Sequence, residues 1–165
     1  MAITYESIAT TTLSTATATV TFSSISGSYT DLVLVCNTIV ASGTGNDVAL
    51  RFNGDTAVNY SNTYLLGTGS VTASGRNPLT YSDNGYLDAN SGNPNTRIIN
   101  IQNYSNTTTY KTNISRASGQ NSGQVTAYVN LWRSTAAITT ILIYSASSLT
   151  YAAGSTFTLY GIKAA

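Results

Sequence analysis

Six carboxylates, one thiol and no imidazole are all that this 165-residue chain offers for acid–base, nucleophilic or metal chemistry. The absence of histidine removes the commonest general base and the commonest metal ligand together. A lone Cys36 cannot build a zinc or iron–sulfur site or an intramolecular disulfide. It lies inside Leu32-Val33-Leu34-Val35-Cys36, where a buried, inert thiol is expected. The carboxylates are Glu6, Asp31, Asp47, Asp55, Asp83 and Asp88. A glycosidase needs two of them across a sugar cleft, so Asp47 with Asp55, or Asp83 with Asp88, are the pairs to consider. Each Asp sits beside Gly or Asn or at a strand edge, where turn-forming and capping roles suffice. The chain therefore reads as a non-enzyme with no catalytic, cofactor-binding or metal-ligating residues. Asp83 to Asn95 is rich in oxygen donors that suit calcium. It lacks the Asp-x-Asp-x-Asp-Gly order and the bidentate Glu of a calcium hand, so a solvated loop is the favoured reading there.

Only 8% of the residues are charged, against roughly 25% in an ordinary soluble domain. Ser, Thr and Asn take their place, while 42% of the chain is hydrophobic and 12 residues are Tyr, so a packed fold is expected rather than disorder. Seven basic residues spread from Arg51 to Lys163 form no stripe for phosphates and no polybasic anchor. The longest apolar runs, Leu32 to Cys36 and Ile141 to Tyr144, are strand-sized and far short of a membrane span. Met1-Ala2-Ile3-Thr4 opens with neither a basic nor an apolar leader, and synthesis in a reducing cytoplasm is expected. Neither nucleic acid nor membrane is an expected partner.

No stretch carries the 3.6-residue rhythm of an amphipathic helix; Val, Ile, Thr and Tyr dominate the periodic segments. Thr17 to Phe22 alternates with Ala18, Val20 and Phe22 on one face, and Asp31 to Val40 reads as a central strand. Asp47 to Phe52 puts Val48, Leu50 and Phe52 inward, followed by the tight-turn signal Asn53-Gly54. Thr96 to Gln102 sets Ile99 and Ile101 against Ile98. Thr108 to Ser115 sets Tyr110, Thr112 and Ile114 against Lys111 and Asn113. Val125 to Trp132 has one face of Val125, Ala127, Val129 and Leu131. Thr139 to Ser145 and Ser155 to Ile162 complete the set, the latter with Phe157, Leu159 and Gly161 together. Gly67 to Pro94 lacks clear periodicity beyond a short pairing around Leu79-Thr80-Tyr81, and reads as a long loop. The expectation is a single all-β domain over residues 1–165: a β-sandwich, in the form of a jelly roll of eight or nine antiparallel strands. Residues 1–12 carry few core-sized side chains; they suit either an extended arm that pairs with another subunit's sheet or an edge strand of their own.

Twelve Tyr exceed what a core of this size needs, and Tyr offers contact area with a hydrogen-bonding tip at little entropic cost. Tyr5, Tyr60, Tyr64, Tyr81, Tyr86 and Tyr104 are the interface candidates, most of them in or beside expected loops. Three segments then look like those of small virion proteins of tailed bacteriophages, particularly aquatic and cyanobacterial ones. They are Ala2-Ile3-Thr4-Tyr5-Glu6-Ser7-Ile8-Ala9, Leu50-Arg51-Phe52-Asn53-Gly54-Asp55 with Asn59-Tyr60-Ser61, and Gly154-Ser155-Thr156-Phe157-Thr158-Leu159-Tyr160-Gly161-Ile162-Lys163. The resemblance implies a jelly-roll structural protein of the virion and carries no catalytic residue. It covers both capsid decoration (cement) proteins and tail or fibre components. With no coiled-coil stem or collagen-like repeat, the expectation is a decoration protein on the outer surface of the head. It would be a homotrimer whose partners are itself and the major capsid protein. The alternative is a tail-fibre or receptor-binding head that grips host polysaccharide. Either assembly, poor in charge and lacking histidine, should respond weakly to salt and to pH near neutrality. A dissociation midpoint that moves sharply between about pH 5 and 8 would contradict this, since no side chain here ordinarily titrates in that window.

Overall fold

The computed structural model describes residues 5–119 and 123–163, with the backbone alone at 88–90. These residues contain no helix; they form β1 (Tyr5–Thr12), β2 (Thr19–Phe22), β3 (Asp31–Thr38), β4 (Thr44–Phe52), β5 (Tyr60–Gly67) and β6 (Thr72–Leu79). The chain continues through β7 (Ser82–Asn90), β8 (Asn95–Gln102), β9 (Lys111–Gly119), β10 (Val125–Trp132), β11 (Ile141–Tyr144) and β12 (Thr156–Ile162). All named pairings are antiparallel. They make one sheet in the order β1-β12-β3-β8-β9-β10-β5-β6 and a smaller one in the order β2-β11-β4-β7.

Setting aside the hairpins β5–β6 and β9–β10 leaves eight strands, β1-β12-β3-β8 facing β2-β11-β4-β7. Renumbered one to eight, these run 1-8-3-6 and 2-7-4-5, the strand order of a jelly roll. The two hairpins are insertions that pair with each other through β10 and β5 and extend the larger sheet into a wing.

Within the jelly roll the period-2 pattern works as expected. Val48, Leu50 and Phe52 of β4, Val20 and Phe22 of β2, and Phe157 and Leu159 of β12 all point into one buried cluster. Leu32, Leu34 and Cys36 of β3 and Ile99 and Ile101 of β8 face them. Burial pushes the Cys36 thiol up to about 12, consistent with an inert filler of the core. Asn53 and Gly54 both have positive φ, 52° and 72°, as the turn signal required.

Under the wing the interior changes character. Lys111, Asn113, Ser115 and Ala117 of β9 point inward, as do Thr126, Tyr128, Asn130 and Trp132 of β10 and Tyr60 and Asn62 of β5. Asn113, Asn130, Asn62 and Asn77 are directly opposed across four strands, making one ladder of amides. β7 lies on it. Asn130 Nδ2 donates to Asp83 O at 2.8 Å and the Asp83 N–H donates back to Asn130 Oδ1 at 3.1 Å. Asn62 Nδ2 donates to Asp83 Oδ2 at 3.1 Å, and Asn113 Nδ2 to Asn84 Oδ1 at 2.7 Å. The Ser82 hydroxyl donates to Asn113 Oδ1 at 2.9 Å. Next to this ladder the fully buried Arg97 forks between strands. It donates to Gly85 O (3.0 and 3.2 Å), to Thr38 Oγ1 (3.2 Å), to Asn46 Oδ1 (2.8 Å) and to Asn46 O. Gly85 is required there: its φ is +103°, and a Cβ would lie 2.7 Å from Thr126 Oγ1. The layer is not fully satisfied, since Ser115 Oγ and Thr126 Oγ1 are buried without a hydrogen-bond partner.

Two expectations are corrected. The strands number twelve rather than eight or nine: β1 and β5 add to those expected, and the stretch from Gly67 to Pro94 contains β6 and β7 instead of a long loop. Its Asn, Asp and Ser residues look like turn chemistry, but they supply the amides and hydroxyls that bond β7 to the wing. Of the two readings of residues 1–12, the described ones, from Tyr5 on, take the second: they form β1, the edge strand of their own sheet, paired with β12.

Asp55, in the link between β4 and β5, ties the wing to the jelly roll. It accepts from Trp132 Nε1 at 2.7 Å, Asn59 Nδ2 at 3.0 Å and the Ala57 N–H at 2.9 Å. Burial raises its pKa, but those hydrogen bonds outweigh it and hold the carboxyl below its ordinary value. Trp132 packs on Phe52 and Tyr60 with ring centroids 5.4 and 6.1 Å away.

Arg97→Ala should cost about 3–5 kcal/mol, because it opens a cavity and strands four acceptors from three segments. Urea unfolding followed by Trp132 fluorescence measures this, and a loss below about 1 kcal/mol would show that the clamp contributes little.

Candidate functional site

The tyrosines singled out by the sequence do not converge. Tyr60 is fully buried, receiving the Phe52 N–H on its hydroxyl at 3.1 Å, and burial pushes its pKa up to about 12. Tyr104 is also fully enclosed, its hydroxyl donating to Ser26 O. Tyr104 lies in the turn between β8 and β9 and Tyr60 begins β5, beside a loop as expected, but both are core groups and present no contact surface, which corrects their reading as interface candidates. Phe52, Trp132 and Ile138 need partners that the sequence pattern alone did not assign. Tyr64 stacks on Tyr128 at 5.4 Å above Gly75, where a Cβ would meet its ring at 2.8 Å. Tyr5 is exposed on edge strand β1, edge-on to Tyr160 at 6.4 Å. Tyr81, in the short β6–β7 link, meets Tyr144 edge-on at 6.1 Å, and the Arg51 guanidinium lies 4.7 Å over the Tyr144 ring. Tyr86 on β7 is 41% exposed and covers Gly45.

The carboxylates are held in local structure. Asp47 accepts from the Ser145 hydroxyl at 2.5 Å and from the Ala146 and Ser147 N–H groups, closing the turn after β11. Asp83 accepts from the Gly85 N–H and from Asn62; burial raises its pKa and the Gly85 bond opposes that. Asp31 accepts from the Asn103 N–H at 2.7 Å, and Glu6 pairs with Lys163 at 2.8 Å. The side chain of Asp88, with its proposed pairing to Asp83, lies outside the described residues. No group of three His, Cys, Asp or Glu suited to a metal ion occurs among the described residues.

The feature that stands out is the outer face of the wing. Since Asn, Arg97, Tyr128 and Trp132 take the inner parity, the alternate residues must face outward. Ile98, Arg116, Ala127, Leu65 and Ser74 form one rung across β8, β9, β10, β5 and β6. Asn100, Ile114, Val129, Thr63 and Arg76 form the next. Val125 and Leu131 extend the aliphatic surface on either side along β10. Leu65, Val125, Val129 and Ile114 are 63%, 60%, 52% and 42% exposed, and they lie together on adjoining rungs rather than scattered singly. The face of Val125, Ala127, Val129 and Leu131 read from the sequence is thus real, and it is turned to solvent.

Three open depressions lie on this face. One of about 540 Å³ is bordered by Leu65, Ser74, Val125 and Ala127; two of about 320 Å³ lie beside Arg116 with Ile98, and beside Arg76 with Val129 and Leu131. No aromatic side chain occupies these rungs. Toward β1, beyond β8, the rungs run on through Val35 and Val33 to Thr158 and Tyr160, and polar pairs appear among them: Thr10 bonds Thr158, and Asn37 bonds both Thr96 and Thr156. The aliphatic side chains can bury another apolar surface, with Arg116, Ser74, Asn100, Thr63 and Arg76 as polar neighbours on the same rungs. The signal that could have revealed the inversion is on β10, where the single Trp132 shares its parity with Tyr128, Asn130 and Thr126. The larger rings, not the smaller aliphatics, mark the side that is enclosed.

No protein-family model matches the chain, and no curated protein and no solved structure matches it significantly.

Val129→Asp should change the unfolding free energy by no more than about 0.5 kcal/mol, as for other exposed substitutions, while lowering retention on a hydrophobic column. A loss of several kcal/mol would mean that this face is covered in the isolated chain.

Proposed function

We propose that the chain is a non-catalytic structural protein of a tailed-bacteriophage virion, a capsid decoration (cement) protein that bridges major capsid subunits on the outside of the head. The observation that carries the reading is the aliphatic outer face of the wing, built by two hairpins inserted into a jelly roll and left open to solvent. Fully burying a Val, Ile or Leu side chain contributes about 1.5–3 kcal/mol. The cost of immobilising a free protein offsets much of that, so one copy would bind modestly. Assembly as a homotrimer would link several such contacts and raise the overall avidity without new chemistry. The absence of histidine suits a contact that persists across pH near neutrality.

The rival reading is a tail-fibre or receptor-binding head for host polysaccharide. It rests on Tyr81, Tyr86, Tyr144 and Arg51 around the smaller sheet, a more dispersed group than the wing surface. Both readings make testable claims. Purified protein added to mature empty capsids of the encoding phage should bind saturably and raise their disruption temperature, with sedimentation showing a trimer. No binding at saturating protein, together with glycan binding that Tyr86→Ala abolishes, would replace the first reading by the second.

A further inference from the structure

The wing's outer face is aliphatic, but it is not uncharged. Arg116 stands between Ile98 and Ala127 on one rung, and Arg76 lies opposite Thr63 at the end of the next. Both are exposed, and each borders one of the two smaller depressions. Among the described residues neither has an ion-pair or hydrogen-bond partner. The chain's other arginines are engaged: Arg97 in the buried fork, Arg133 on Ser61, Arg51 on Tyr144 and Thr80. No carboxylate lies on these rungs; Asp31 and Glu6 are bonded to the Asn103 N–H and to Lys163, and Asp83 is held on the inner face by Asn62.

Burying a guanidinium without an anion costs several kcal/mol, and a carboxylate with good geometry offsets much of it. A second copy stacked face to face would bring arginines into an apolar contact with no acid to receive them. We infer that this face is built for a different protein, whose apolar surface carries carboxylates placed to meet Arg76 and Arg116, and that the same two arginines keep copies of this chain from stacking on one another. Charge then supplies orientation and partner choice, while the aliphatic side chains supply the buried area. This rests on the docking reading above and adds the chemistry of the partner. It also makes binding more salt-dependent than the composition suggests, because the few unpaired charges are concentrated on the contact.

The test uses mature empty capsids as the probe, with binding measured at about 50 and 300 mM salt, where screening lengths differ by more than twofold. The proteins are wild type, R76E/R116E, R76K/R116K and V129D, each checked for an unchanged melting temperature. The expected result is wild-type binding that weakens with salt and a charge-reversed variant weaker by about tenfold or more at low salt. The lysine variant should fall between them, and V129D should not bind. Charge variants that bind like wild type at both salts, with V129D inactive, would overturn the partner chemistry and leave the docking face standing. Wild-type binding that V129D does not alter, or no wild-type binding at all, would overturn both.

Discussion

The structure depends on one polar contact: β7 held to the inner face of the wing by an amide ladder and by the buried Arg97. β7 opens Ser82-Asp83-Asn84-Gly85, a sequence with almost nothing apolar to bury. It keeps its place because Asn113, Asn130 and Asn62 present amides in register, and each finds a backbone or side-chain partner on β7. Such a network is specific in a way an oily contact is not. A shift of one residue would leave several buried amides unpaired at about 1–3 kcal/mol each. Arg97 adds a second lock, joining Thr38, Asn46 and Gly85 from three separate segments.

That inner commitment determines the outside. Side chains alternate strictly along a strand, so once Asn, Tyr128 and Trp132 occupy the enclosed side, Val125, Val129, Ile114 and Leu65 have no route inward. In the jelly-roll half Leu32, Leu34, Cys36, Phe157 and Leu159 face the core, while the outward parity mixes Val33, Val35 and Tyr160 with threonines and Asn37 that bond to one another. The two halves share one continuous sheet, and the exposed aliphatic side chains are concentrated on the wing. The wing is therefore the part of the molecule that leaves the most aliphatic side chains open to solvent.

The same design leaves little for chemistry. Asp47, Asp55 and Asp83 are each occupied by backbone and side-chain donors that fix a turn or a strand. Cys36 is enclosed in the apolar core with its thiol held strongly protonated. The half-exposed tyrosines Tyr5, Tyr64, Tyr81 and Tyr86 lie on different edges and layers, so they form no single binding patch. The virion role remains a proposal built on the exposed wing and on resemblance in short segments.

The sequence by itself determined the all-β class, the absence of helices from its periodicity, the Asn53-Gly54 turn and the core parity of β4 and β12. Those elements obey the local rule that apolar residues at period two face one core. Strings such as Ser82 to Asn95 were legible only as turn chemistry, because an amide satisfied by a neighbouring strand looks identical in sequence to one satisfied by water. Which parity of β9 and β10 is enclosed, which tyrosines are core, and that two hairpins extend one sheet were decided by tertiary structure alone. The reason is physical: burial and hydrogen-bond satisfaction are properties of pairs of strands, and the pairs here come from segments as far apart as Asn62 and Asn130.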